Sequence, residues 1–168
     1  MELLGISGSL QSRSANTALL NVARAVAADG VEVVLYDGLD AIPAFNPDRE
    51  PGPAAVEAFR DLVRSADGLL IATPEYAFGV PGALKNLLDW LVGSGELYGK
   101  PVVIVSAAPS AERGVNARND LERTLKGQGA RVLASTTIAV PTSVRGAEID
   151  DPGICDTVAK VLSALTND

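Results

Sequence analysis

The stretch Gly5-Ile6-Ser7-Gly8-Ser9-Leu10-Gln11-Ser12-Arg13-Ser14-Ala15-Asn16 joins the apolar pair Leu3-Leu4 to a segment with helical periodicity that begins at Ala18. An apolar strand, a loop of glycine and hydroxyl residues, and then a helix place backbone N–H groups and the positive end of a helix dipole in front of an anion. The stretch therefore predicts a strand–loop–helix unit that binds a phosphate group.

The polar side chains of this loop match the needs of a single phosphate. Three serine hydroxyls, one amide and one guanidinium can donate to its oxygens: Ser9, Ser12, Ser14, Asn16 and Arg13. The loop lacks the Gly-Lys-Ser/Thr ending of a P-loop and the three-glycine spacing of a dinucleotide-binding fold. Serine and asparagine also favour the start of any helix, so an ordinary helix N-cap remains an alternative.

The composition excludes several classes of function. The chain of 168 residues has 14 basic and 21 acidic residues, one cysteine and no histidine. Without histidine, and with Cys155 alone, there is no Ser-His-Asp triad and no thiolate cluster, and we expect no metal site. A net charge of −7 disfavours nucleic acid and anionic membranes as partners. The chemistry must therefore come from a cofactor or from carboxylates.

Length and hydropathy predict one cytoplasmic domain. A chain of this size buries a single core, so we expect residues 1–168 to form one domain. The first residues contain no basic n-region, and charged residues interrupt every apolar run before it reaches membrane-spanning length. We expect neither an export signal nor a transmembrane helix.

Strands and helices alternate along the chain. The pattern predicts strands at residues 2–7, 31–36, 68–73, 101–107 and 131–138, and helices at residues 15–28, 53–65, 80–92, 114–127 and 153–165. Several strands are continuously apolar, as burial on both faces of a sheet demands. We therefore predict an α/β three-layer sandwich with a five-stranded parallel sheet of flavodoxin-like order 2-1-3-4-5 and helices on both faces.

This strand order places the loops after strands one, three and four side by side at one edge of the sheet. After strand three, prolines and glycines fix an irregular backbone around Tyr76 and Phe78, whose rings can contact a flat heterocycle. Glu75 fits a structural acceptor of backbone N–H groups better than a proton donor. After strand four, small residues from Ser106 onwards let the backbone approach a ligand closely.

These motifs resemble those of the NAD(P)H-dependent FMN reductases, which include chromate, quinone and azo reductases of flavodoxin-like fold. The resemblance covers nearly the whole chain and rests on Gly8-Ser9-Leu10 with Ser14 and Asn16, on Ala66-Asp67-Gly68, on Pro74-Glu75-Tyr76, on Pro81-Gly82-Ala83-Leu84-Lys85-Asn86 and on Asp89-Trp90. It implies hydride transfer from NADPH or NADH through FMN to a quinone, flavin, azo or metal-oxyanion acceptor by a ping-pong mechanism. The flavin carries the chemistry, so no catalytic residue is assigned.

The residues and the resemblance together indicate which side chains bind the cofactor. They lie in all three loops: Ser9, Gln11, Ser12, Arg13, Ser14, Ala15 and Asn16; Pro74, Glu75, Tyr76, Ala77 and Phe78; and Ser106 and Ala107. Arg113 and Arg118 are the candidates for binding the phosphates of NAD(P)H. Arg118 lies on a predicted helix, where Asp120, Glu122 or a solvent anion is an equally suitable partner.

The chain departs from the family pattern at positions that bear on flavin binding. The family often has arginine where Gln11 stands, asparagine where Ala77 stands and a small polar residue where Phe78 or Gly79 stands. Two alternatives therefore stay open. One is a flavodoxin-like electron carrier that binds FMN but does not oxidise NAD(P)H, and the other is a flavin-free structural or regulatory protein.

Two further segments suggest how the surface is built. The proline-rich stretch 37–53 is expected to be a surface loop packed down by Phe45 and Ile42, either as one wall of a pocket or as a connection alone. The helix predicted at 80–92 has two apolar faces. Trp90 is therefore either buried within its own chain or covered by a second copy in a homodimer or homotetramer, which the resemblance favours.

Overall fold

The computed structural model describes residues 1–141 and 149–167. The strands are β1 Glu2–Ser7, β2 Glu32–Tyr36, β3 Gly68–Ala72, β4 Pro101–Ala108 and β5 Arg131–Ala139. The helices are α1 Ala15–Val26, α2 Ala54–Ser65, α3 Gly82–Asp89, α4 Val115–Gly127 and α5 Pro152–Thr166, and a single 3₁₀ turn covers Leu39–Ala41. None of the helices in these two described ranges is long and apolar enough to cross a membrane.

The five strands form one parallel sheet in the order β2-β1-β3-β4-β5, which confirms the predicted fold. β3, in the middle of this order, is buried at all of its residues, as its continuous apolar run predicts. Leu4 of β1 lies opposite Leu69 of β3, and Ile71 of β3 lies opposite Ile104 of β4. The carboxyl ends of β1, β3 and β4 therefore meet at one edge of the sheet.

Alternate residues of the central strands pack into two separate hydrophobic cores, because successive side chains of a strand point to opposite faces of the sheet. Leu69 and Ile71 pack into a cluster with side chains of α2, α3 and α4, among them Phe59, Leu84, Leu87, Leu121 and Leu125. Leu70 and Ala72 pack into the opposite cluster with side chains of α1 and α5, among them Leu19, Leu20, Val158 and Leu162. The sheet is thus covered on both faces.

The largest difference from the predicted elements is the length of α3. The helix was predicted at 80–92 but runs from Gly82 to Asp89, and turns follow it. Pro81 precedes it with an extended ψ of 134° and acts as its N-cap. At the other end, the carbonyl of Trp90 is turned toward Arg60 and accepts hydrogen bonds from its Nε and Nη2 at 3.3 and 2.7 Å.

Trp90 is covered by its own chain. Its side chain is fully buried, its Nε1–H donates to the carbonyl of Pro43 at 2.9 Å, and the ring of Phe45 meets it edge-on at 5.1 Å between centroids. Asn86 donates to the same Pro43 carbonyl and accepts from the Phe45 N–H. The interpretation that a second copy covers Trp90 is therefore wrong. The expected packing of the proline-rich loop is confirmed, because Ile42 packs against the core cluster and Phe45, though 38% exposed, contacts the Trp90 ring.

A buried arginine ties this loop to the helices. Arg60 of α2 forms ion pairs with Glu50 of the proline-rich loop at 2.8 Å and with Glu57 at 2.7 Å. It also donates to the end of α3 through the Trp90 carbonyl. The hydrogen bond from Arg60 lowers the pKa of Glu50 below its usual value. Arg60 therefore joins three segments that are far apart in the sequence.

The lowered pKa of Glu50 makes this connection sensitive to acid. Because the folded-state pKa lies below the unfolded-state value of about 4.3, the stabilisation is complete above that value and is lost as the pH falls through the folded-state pKa. We expect the difference in free energy of unfolding between the wild type and Glu50→Gln to shrink from pH 7 to pH 3 in urea titrations. The exposed carboxylate of Glu32, as Glu32→Gln, is the control, and a constant Glu50→Gln difference would contradict the assignment.

Candidate functional site

The three loops predicted to converge enclose a cavity of about 310 Å³ at the carboxyl edge of the sheet, which we call the rim cavity. Its lining comes from the loops after β1, β3 and β4: Ser9, Gln11, Arg13 and Ala15; Pro74, Glu75 and Tyr76; and Ser106, Ala107, Ala108, Pro109, Arg113 and Gly114. The volume lies at the lower end of the range usual for small-molecule sites. Sequence reasoning missed Ala108, Pro109 and Gly114, although they continue the predicted third loop.

Ser9 connects the first loop to the second. It is nearly buried, and its Oγ accepts the Gln11 N–H at 3.2 Å. Its hydroxyl is also hydrogen-bonded to that of Tyr76, with 3.4 Å between the oxygens. A ligand in the rim cavity therefore meets Ser9 and Tyr76 as one polar pair.

Two other residues of the predicted phosphate loop have structural roles. The Ser14 Oγ accepts the Thr17 N–H at 3.4 Å and caps α1, as the helix-cap alternative requires. The Oδ1 of buried Asn16 accepts the Ala107 N–H at 2.9 Å and so joins the first loop to the third. Neither residue lines the rim cavity, and Ser12 does not line it either.

A second, larger cavity lies on the other side of the first loop. It measures about 840 Å³ and runs along α1, where Ser12, Ser14, Thr17 and Asn21 line it together with Arg13, which the two cavities share. We call it the α1 cavity. It also touches Ile149 and Asp150, which directly follow the undescribed residues 142–148. The predicted phosphate-binding side chains are thus divided between two cavities.

The loop after β3 contains a tight turn with unusual backbone angles. Tyr76 and Gly79 exchange both backbone hydrogen bonds, at 3.2 and 3.0 Å, around two central residues. Those residues, Ala77 and Phe78, have φ values of 49° and 63° in the left-handed region, as in a type I′ turn. Neither lines the rim cavity, and the Phe78 side chain is 79% exposed while that of Tyr76 is half exposed.

The turn stores conformational strain, because a residue with a Cβ is disfavoured in the left-handed region. We expect the double substitution Ala77→Asn with Phe78→Gly, the pair that type I′ turns prefer, to raise the free energy of unfolding by about 1 kcal/mol. Urea denaturation measures the change. Val92→Gly, at an exposed apolar residue without a positive φ, should give no gain. A double variant no more stable than the wild type would contradict the assignment of strain.

Glu75 caps a helix of the neighbouring loop. Its Oε2 accepts the N–H groups of Asn116 and Ala117 at 2.8 and 3.1 Å. These groups belong to the first turn of α4, which contains no acidic residue of its own, and the N-cap residue Gly114 has no side chain to bind them. The carboxylate also lies at the positive end of the helix dipole. The prediction that Glu75 is a structural acceptor of backbone N–H groups is confirmed.

Removing this cap tests its contribution to stability. Glu75→Ala leaves two N–H groups of α4 without their acceptor and should lower the free energy of unfolding by about 1–2 kcal/mol. Glu75→Gln keeps an acceptor oxygen but loses the charge, so its effect should be smaller. Urea denaturation of the three proteins measures both effects, and equal stability of Glu75→Ala and wild type would show that the cap contributes nothing.

A buried hydroxyl at the end of β4 lies beside the rim cavity. Ser106, at the end of β4, is fully buried, and its Oγ has no hydrogen-bond partner among residues 1–141 and 149–167. Gly114 lies against it with a φ of 79°, and a Cβ there would stand 2.5 Å from this oxygen. Glycine is therefore required for the loop to fold over Ser106, and this packing closes the hydroxyl off from solvent.

The three predicted arginines are placed differently. Arg13 and Arg113 line the rim cavity, whereas Arg118 does not. Arg118 donates from Nε to the Thr137 hydroxyl and from Nη1 to the Ser135 hydroxyl, both at 3.1 Å, and partial burial lowers its pKa. Its suggested helix partners are used elsewhere, because Asp120 pairs with Arg123 and Glu122 with Lys126.

The described part of the chain holds no group of three or more histidine, cysteine, aspartate or glutamate side chains that could bind a metal ion. The polar side chains that line the rim cavity instead carry hydroxyls, an amide, guanidinium groups and a carboxylate. They suit an organic ligand that carries an anionic group.

Comparisons with known proteins agree with one another. Residues 1–144 match the family model of NADPH-dependent FMN reductases. An NAD(P)H-dependent FMN reductase of Pseudomonas aeruginosa is 40% identical over 129 residues, which are 74% of this chain and 69% of the relative. A quinone reductase of Escherichia coli is 34% identical over 138 residues, or 79% and 73% of the two chains. The flavoenzyme NAD(P)H:(acceptor) oxidoreductase FerB of Paracoccus denitrificans has the same fold, with a TM-score of 0.85, 23% identity, and coverage of 99% and 95%.

Proposed function

Since the chain belongs to the NADPH-dependent FMN reductase family, we propose that it is an oxidoreductase that binds FMN in the rim cavity and passes electrons from NAD(P)H to a small acceptor. The observation that carries this proposal is the convergence of the three predicted loops on one cavity. The two relatives named above, an FMN reductase and a quinone reductase, support an acceptor of the quinone or flavin class.

The residues present suit FMN in charge and in side-chain chemistry. Arg13 and Ser9 offer a cation and a hydroxyl to the phosphate at the first loop. Tyr76 and Pro74 provide flat apolar surface for the ring system, opposite the small residues that follow β4.

When bound, FMN would supply the redox chemistry between NAD(P)H and the acceptor, and we propose that the two half-reactions follow a ping-pong sequence. The protein's own contribution is to position the reactants and to supply charge. Arg13 neutralises an anion at the first loop, and Arg113 places a cation on the third loop, within reach of the phosphates of NAD(P)H. A histidine base is not needed for this chemistry, in agreement with the composition.

We further propose that the active form is a homodimer or homotetramer. Three large apolar side chains next to residues of the cavity lining are exposed: Leu10, Tyr76 and Phe78. Exposed apolar groups clustered beside a ligand site mark an interaction surface more often than isolated ones do. The strained turn that exposes Phe78 supports the assignment of an interaction surface here.

A cytoplasmic location agrees with the single free cysteine and with the need for NAD(P)H.

Arg13 provides the direct test of the proposed phosphate position. Arg13→Gln should weaken FMN binding about 10- to 100-fold, because a charge-assisted hydrogen bond contributes about 1.5–3 kcal/mol. Quenching of FMN fluorescence on titration with the protein measures the dissociation constant. Arg24→Gln is the matched control, since Arg24 lines the α1 cavity alone. Because Arg13 lines both cavities, weaker binding by the Arg24 variant as well would place the phosphate in the α1 cavity.

Activity is tested in the same preparations. The wild type, supplied with FMN, should oxidise NADPH or NADH when a quinone is present, and the absorbance loss at the nicotinamide band measures the rate. Wild-type protein that binds FMN but leaves both nicotinamides unoxidised would support the electron-carrier alternative. Protein that binds no FMN would overturn the proposed function.

A further inference from the structure

A chain of side-chain hydrogen bonds outside the rim cavity leads from β5 to the loop that carries Arg113. The Thr137 hydroxyl donates to the Arg113 carbonyl at 2.9 Å. The same oxygen accepts from Nε of Arg118 at 3.1 Å, and Nη1 of Arg118 donates to the Ser135 hydroxyl at 3.1 Å. Arg118 and Thr137 themselves do not line the cavity.

The directions of these bonds give each group a defined role. A threonine hydroxyl has one hydrogen and two lone pairs. Because Arg118 donates to the Thr137 oxygen, the hydroxyl hydrogen is directed to the Arg113 carbonyl. Ser135 holds the other end of the guanidinium and fixes its plane. Both hydroxyls belong to β5, so they form a rigid anchor.

The anchor holds the backbone of Arg113, the residue whose positive charge faces the rim cavity. Thr137 lies opposite Ser106 in the β4–β5 register, so it sits directly beside the third loop. The Arg113 N–H bonds to Ser110 within the loop, while its carbonyl is held from β5. Within residues 1–141 and 149–167 the Arg113 guanidinium forms no ion pair. Its backbone is thus fixed while its charge stays available to a ligand.

We propose that Thr137 and Arg118 are positioning residues that hold the Arg113 guanidinium where a phosphate group of the nicotinamide dinucleotide binds. This inference rests on the proposed function. Arg118 therefore serves the dinucleotide through Arg113 and does not contact it. The phosphate concerned is either the pyrophosphate, which NADH and NADPH share, or the 2′-phosphate, which NADPH alone carries.

Steady-state kinetics of the FMN-loaded protein test the proposal. Thr137→Val keeps the side-chain shape but removes both hydrogen bonds, and it should raise KM for the nicotinamide about five- to tenfold with kcat within about twofold. Thr137→Ser keeps the hydroxyl and should restore KM. An increase for both nucleotides identifies the pyrophosphate, and an increase for NADPH alone identifies the 2′-phosphate. An unchanged KM for both nucleotides would overturn the proposal.

A double-mutant cycle separates positioning from a general structural effect. Arg113→Gln should raise KM as much as Thr137→Val or more, and the combined variant should be no worse than Arg113→Gln alone. Additive effects would show that Thr137 does not act through Arg113. Thr157→Val, which removes a similar hydroxyl-to-carbonyl bond on α5, is the matched control and should leave KM unchanged.

A measurement without the cofactor keeps the inference independent of the proposed function. Amide hydrogen exchange of residues 110–115 in the free protein should be faster in Thr137→Val than in the wild type or in Thr137→Ser. Unchanged exchange would overturn the positioning role. Because this measurement uses the protein without FMN, it remains decisive even if Thr137→Val loads FMN poorly. If exchange changes as expected but the wild type oxidises no nicotinamide, the proposed function fails while the anchoring of the loop stands.

Discussion

The backbone N–H groups at the carboxyl edge of the sheet must find acceptors, and those of the third loop and the start of α4 find them on side chains of the other two loops. Asn16 of the first loop accepts from Ala107 of the third, and Glu75 of the second accepts from the start of α4. A hydrogen bond between the hydroxyls of Ser9 and Tyr76 joins the first loop to the second. Buried amides without partners would cost more than these side chains lose in conformational freedom. The rim cavity therefore has a defined shape without a ligand, which favours tight binding.

The sheet and its order were predictable because they depend on local periodicity and on general rules of connection. The continuously apolar strands and the alternation with helices were sufficient for the order 2-1-3-4-5. The early end of α3 and the burial of Trp90 were not predictable. They depend on contacts with Arg60 and Pro43, which lie at least 30 residues away in the sequence.

The site shows the same division between local and long-range information. Residue types and strand order predicted which loops meet. They did not show that the side-chain oxygens of Asn16 and Ser14 accept backbone N–H groups. Serine and asparagine occur both in phosphate-binding loops and at helix N-caps, so the residue type does not separate the two roles. The partners of Arg118 lie on β5, 17 and 19 residues away, whereas the expected partners were helix neighbours. In an acidic protein, the two arginines at the rim cavity provide the local positive charge that phosphates require.

The proposed function requires that the three loops bind one FMN molecule, with its phosphate at Arg13 and Ser9 and its ring between Tyr76 and the loop after β4. A crystal structure of the protein with FMN tests it most directly. We expect phosphate density within hydrogen-bond distance of Arg13 and ring density against Tyr76. Density for the whole molecule in the α1 cavity, between Thr17, Asn21 and Ile149, would contradict it.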